Sequence, residues 1–247
     1  MSQLIRNIAC FEMDIPSGNH SVPLDFVNIN DKTIQSVYFF SSTEDVLMFS
    51  PISGKQITQL GETGPFGIYM NLYDDKDNHF IKDYASDNFT IQSEMDHYVP
   101  YVINRKIDWE KSYLKTIVPD ETEYLTVLIY VLYKTEKLNE TVCESPSTIS
   151  IELLPNEDFQ DFCLADYVSA EININMIANI SVSKRCSGYI DINAEKSVLE
   201  NVPAHFFEIQ SAKGFQTKPL KINLNQFFYR HRSFSREPVI ITLSYTV

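Results

Sequence analysis

Along most of this chain apolar residues recur at alternate positions in runs of about eight, broken by turn-forming residues about every 8 to 12 positions. That period of two predicts half-buried β-strands. Strands are expected over residues 4–15, 22–29 and 33–40, with turns at 16–19 and 30–32. Further strands are expected over 68–73, 89–93, 98–103, 148–154, 169–183, 189–193, 206–210 and 217–222. Residues 121–133 break the alternation. Nine of those thirteen residues are apolar or aromatic, a run too short to span a bilayer, and its β-branched and aromatic content predicts a strand buried on both faces. The chain closes on a run of the same kind, residues 236–247.

Two segments carry a different period. Over residues 108–118, Trp109, Tyr113 and Ile117 stand four apart beside Leu114, with Asp108 before them and Pro119 after. This predicts a short amphipathic helix, capped by Asp108, whose aromatic stripe packs in the core. Over residues 223–232, Leu224, Phe227 and Phe228 supply a similar stripe behind Asn223. Each predicted helix lies just before one of the two most apolar runs.

The halves also align over longer blocks. Residues 67–93 and 188–211 both begin at Gly, pass through an acidic turn and end on F-x-I-Q-S, while Lys106-Ile107-Asp108-Trp109 matches Lys221-Ile222-Asn223-Leu224. Gly67 and Gly188 stand 121 positions apart, Lys106 and Lys221 115. That separation is far above the period of solenoids and propellers, so the pattern predicts two domains. The polar stretch 137–145 reads as a linker between a first domain over 1–136 and a second over 146–247.

A unit of this size, with some eight short strands and a helix before the last, has the size and order of a jelly roll. The expected fold class is therefore all-β, two tandem jelly-roll sandwich or barrel domains with short helices before the last strand of each. This architecture resembles the double jelly-roll major capsid proteins of tailless, membrane-containing icosahedral bacteriophages. The resemblance covers nearly the whole chain and rests on architecture, without a diagnostic motif. It implies a capsid subunit synthesised in the host cytoplasm and built into the virion, forming pseudo-hexameric homotrimers that tile an icosahedral shell. Neighbouring capsomers, minor capsid proteins and an internal lipid membrane would be its partners. The short loops depart from larger members and imply a smooth capsomer. The alternative expectation is a tandem β-sandwich binding module, an accessory virion protein or a carbohydrate-binding adhesin.

Charge narrows the classes. A net charge of −13 argues against nucleic-acid binding, which needs Lys and Arg in excess. The excess is reversed locally: residues 213–247 hold six basic residues and one acid, Glu237. Aromatics at 13% suit β structure, and with only 7 Gly the Asn residues are expected to serve the turns. No window approaches 18 consecutive apolar residues, and the first residues lack a signal-peptide core.

Catalytic signals are absent from the sequence. The five His (His20, His79, His97, His205, His231) form no H-x-H or H-E-x-x-H, and Cys10, Cys143, Cys163 and Cys186 have no zinc-ligand spacing, so reduced thiols are expected. The acidic run 74–78 lacks the Gly and Glu of a calcium loop and reads as a turn. No cofactor, metal or enzymatic activity is expected; a cupin-like metal enzyme is the remaining enzymatic alternative. The one cluster with a functional flavour is Arg230-His231-Arg232. It is a candidate for the end of the second helix, for an inter-subunit salt bridge, or for lipid-headgroup contact.

Overall fold

The computed structural model describes residues 4–5, 7–40, 49–58, 67–85, 90–91, 103–119, 124–134, 147–154, 160–169, 172, 174–183, 188–194, 197–207, 216–217, 220–231 and 238–246. The expected linker 137–145 and most of the expected strand 98–103 lie outside them. The chain separates into two compact units, Cys10–Lys134, and Thr135–Val247 with Met1–Ala9. Among the described residues no helix reaches seven residues; the helical pieces are single 3₁₀ turns at Val27–Ile29, Leu164–Tyr167, Ala204–Phe207 and Leu224–Gln226.

The unit Cys10–Lys134 is built from β2 (Asn7–Pro16, apart from its first three residues), β3 (Gly18–Pro23), β4 (Thr33–Phe40), β5 (Gly67–Asp74), β6 (His79–Ala85), β7 (Thr90–Ile91), β8 (Arg105–Val118) and β9 (Tyr124–Lys134). One set runs β2-β9-β4-β7 and the other β3-β8-β5-β6, and rungs Thr33–Lys106 and Ile34–Arg105 join them into an open sheet. β3 with β8, β5 with β6 and β8, and β4 with β9 pair antiparallel; β4 and β7 run parallel over two rungs.

The other unit contains β1 (Leu4–Ile5), β10 (Ser147–Leu153), β11 (Gln160–Cys163), β12 (Met176–Val182), β13 (Gly188–Ala194), β14 (Ser197–Pro203), β15 (Gln216–Thr217), β16 (Leu220–Lys221), β17 (Phe227–His231) and β18 (Val239–Thr246). Its sheets run β10-β18-β12-β16 and β11-β17-β13-β14, with β1 beside β15. The start of β2 pairs in parallel with β14, where the Val198 N–H donates to Asn7 Oδ1 at 3.0 Å. Among the described residues the sheets are open and none closes into a barrel.

The two apolar runs take corresponding places. β9 lies between the first and third strands of its unit, β2 and β4, and β18 between β10 and β12. Their burial differs. Leu125 to Leu132 are all buried, as a strand covered on both faces requires, whereas β18 buries Val239, Ile241, Leu243 and Tyr245 and turns Ile240, Thr242 and Ser244 outwards. On that outer face the Ser150 and Thr242 hydroxyls meet at 3.0 Å.

Neither expected helix forms: 108–118 is strand, and the described part of 223–232 is one 3₁₀ turn followed by a strand. Residues 108–118 fall inside β8, where Trp109 is buried, Tyr113 half-buried and Ile117 41% exposed, so the four-residue stripe is no common core face. The cause is a bulge. Between rungs Tyr73–Asp108 and Asn71–Tyr113 β8 gains three residues on β5, which moves the buried set from Ile107 and Trp109 to Ser112, Leu114, Thr116 and Val118. Ser112 Oγ plugs the interrupted ladder, accepting from the Tyr73 N–H at 3.1 Å and donating to the Asp108 carbonyl at 2.6 Å. Asp108 Oδ1 accepts from the Lys111 N–H at 3.3 Å within the bulge and caps no helix. Likewise Asn223 accepts from the Asn225 N–H at 3.0 Å, but the turn ends at Gln226 and the chain goes on extended. Of the strand expected over 22–29 only Val22 and Pro23 are extended, as the end of β3, and a 3₁₀ turn follows at Val27–Ile29.

Candidate functional site

In β17 the alternation that buries Phe227 and Tyr229 leaves Phe228 and Arg230 half-exposed on the other face. Arg230 stands between Asp161 of the edge strand β11 and Tyr189 of β13. Its guanidinium spans both neighbours, donating from Nη1 to Asp161 at 3.2 Å and from Nη2 to Asp191 at 3.0 Å. A planar fork with fixed donors suits this bridging better than a lysine would. Nε of the same guanidinium is buried without a partner.

A β-bulge brings a third carboxylate to the cluster. Rungs Ile190–Val202 and Ile192–Leu199 leave Asp191 facing two residues of β14, Glu200 and Asn201. Asn201 takes up the extra length in the left-handed region, φ 48°, a conformation that Asn tolerates. Burial pushes the Asp191 carboxyl above its ordinary value, Arg230 partly offsetting it and Asp161 adding repulsion. Burial pushes Glu200 up too, and the charge of Asp191 pushes it further. The arrangement can therefore hold a proton on a carboxylate beside a fixed cation.

The corresponding rung of the unit Cys10–Lys134 has the same backbone with other side chains. Between rungs Met70–Tyr84 and Leu72–Ile81, Asn71 of β5 faces Lys82 and Asp83 of β6, and Asp83 has φ 46°. The buried Asn71 Oδ1 accepts from the Asp83 N–H at 3.1 Å and lies 3.1 Å from His79 Nε2, whose ring stacks on Tyr73. Lys115 Nζ lies 3.6 Å from the Asp83 carboxylate.

No protein-family model, curated protein or solved structure matches this chain. Its own geometry has to carry the functional reading.

Of the expected site residues, only Arg230 is described in full. His231 pairs through its backbone with Gln160 and Gly188, and Arg232 lies outside the described residues. The helix-end role for Arg230 is overturned, because the residue sits in a strand with its charge spread over two carboxylates. Sequence reasoning missed Asp161, Asp191 and Glu200. Asp191 stands out in Y-I-D-I-N as the polar member of an alternating strand, but only the register brings the three carboxylates to one cation.

The acidic run is the turn the sequence predicts. Asp74 Oδ1 accepts from the N–H groups of Lys76 and Asn78 at 3.0 and 2.9 Å, and Arg105 lies 3.2 Å from Oδ2. The Asn78 amide first, then these backbone bonds and Arg105, hold the Asp74 carboxyl below the usual range. Asp77, at φ 63°, pairs with Lys111. Among the described residues no group of three or more His, Cys, Asp or Glu side chains is placed to hold a metal. Cys10 and Cys163 form no disulfide, and no described helix is long and apolar enough to cross a membrane.

Proposed function

We propose that the chain is a shell-forming structural protein, two tandem jelly rolls that associate as a homotrimer and tile a virion capsid. The observation that carries this reading is the repeated strand order. A jelly roll is a long hairpin of four nested strand pairs, wrapped so that alternate pairs fall in opposite sheets. The nested pairs are β2·β9, β3·β8, β4·β7 and β5·β6 in one unit, and β10·β18, β11·β17, β12·β16 and β13·β14 in the other. The pairs β3·β8, β5·β6, β10·β18, β11·β17, β12·β16 and β13·β14 are antiparallel, as the nesting requires, and the β4·β7 contact is parallel. The matching bulges at Asp83 and Asn201 add a second, independent likeness between the units, since a bulge is a specific local feature of a strand pair.

The mechanism is geometric. Each chain supplies two similar units, so three chains supply six and can occupy positions of local six-fold symmetry in a closed lattice. Neighbouring capsomers, minor capsid proteins and an internal membrane are then the partners. Size-exclusion chromatography with light scattering tests the reading. The expected result is a particle of three times the 28.5 kDa chain mass; a monomer that persists at high concentration overturns it.

A further inference from the structure

At one rung the two units share a backbone and differ in charge. In the unit Cys10–Lys134 the residue at the bulge is a neutral amide, Asn71, and the acid Asp83 has Lys115 beside it. At the corresponding rung of the other unit stands Asp191, with Glu200 across the bulge and Asp161 on the next strand but one. Arg230 is the one cation that faces these carboxylates from the described residues of β11, β13, β14 and β17.

We propose that Asp191 and Glu200 form a proton-sensitive latch in the sheet β11-β17-β13-β14, closed while the pair holds a proton and loosened when both carboxylates are charged. One guanidinium must then serve three carboxylates. Its hydrogen bonds go to Asp161 at 3.2 Å and Asp191 at 3.0 Å, so a single positive charge has to offset three carboxylates when all are ionised. Both Glu200 and Asp191 are half-buried, where like charges are poorly screened. A proton on the pair removes that repulsion and leaves Arg230 facing two carboxylate charges instead of three, one of them Asp161 on the edge strand β11. Asn71 shows that this bulge accommodates the neutral form.

The sign follows from linkage. Folding raises the affinity of both carboxyls for protons, so the folded chain binds more protons than the unfolded one, and stability falls as pH rises from the ordinary carboxylate range through the raised values. The inference does not depend on what the protein assembles into.

The test compares thermal unfolding of the full chain with Glu200→Gln and Asp191→Asn at matched ionic strength. At about pH 8 each variant should unfold about 2–4 °C above the parent, and the advantage should vanish at about pH 4.5, near the ordinary carboxylate value. Variants that follow the parent at both pH values, or unfold below it at the higher one, overturn the latch. Carbon-detected NMR titration of the unmodified protein's carboxyls keeps the test open if a variant fails to fold: midpoints for both Asp191 and Glu200 at the ordinary value of about 4 also overturn it.

Discussion

The ring of Tyr229 lies against Gly188 on the adjoining strand so closely that a Cβ on Gly188 would come within 2.2 Å of it. Tyr229 is 1% exposed and cannot swing aside. The glycine here makes room for an aromatic ring, and its backbone conformation is not the constraint. Gly188→Ala should cost about 1–3 kcal/mol in urea unfolding. In a Tyr229→Leu background the same substitution should cost much less, and equal costs in both backgrounds would remove the ring from the explanation.

Arg230 ties an edge strand to its neighbour and to the strand beyond. Arg230→Ala leaves Asp161 and Asp191 without their cation and should destabilise by about 1.5–3 kcal/mol. Arg230→Lys should recover only part of this, because an ammonium is a point charge and cannot reach two carboxylates as a fork. Chemical denaturation of the three proteins at neutral pH measures the order.

The Asp74 turn predicts behaviour at the acid end. Its carboxyl is held below the usual range, so its contribution is complete above the unfolded value and is lost as pH falls through the folded one. Asp74→Asn should therefore lower the unfolding midpoint at neutral pH and flatten its decline in acid. Added calcium should leave the midpoint of the parent unchanged.

The two matched strands should respond differently to substitution. Leu128 is fully buried in β9, and Leu128→Ala should cost about 2–5 kcal/mol. Ile240, 42% exposed in β18, should tolerate Thr within about 0.5 kcal/mol. Unfolding free energies of the two variants decide it.

How far the sequence revealed the fold depends on how each residue's burial was encoded. β4 was legible to the residue and β9 nearly so, because apolar side chains announce burial directly. β8 was misread because its bulge shifts parity between Trp109 and Ser112, and a strand that changes face mid-way imitates a period of four. Asn223 does cap a turn, but a single 3₁₀ one, whereas Asp108 lies inside the strand Arg105–Val118 and caps no helix. The Arg230 cluster was half legible. The cation stood out in the chain, while its three carboxylates lie 30 to 69 positions away and meet it only through strand register. The strand Ser197–Pro203 was missed because its polar and apolar residues make no run long enough to declare itself.

β9 and β18 sit in corresponding places, yet only one is covered on both faces, and this sets how freely each can drift. Every residue from Leu125 to Leu132 answers to a neighbour, so a substitution at any of them meets selection. In β18 only alternate positions do, and Ile240, Thr242 and Ser244 can exchange among small uncharged residues at little cost. Two strands of equal rank in their sheets therefore need not look alike in sequence: one is constrained at every residue and the other at every second one.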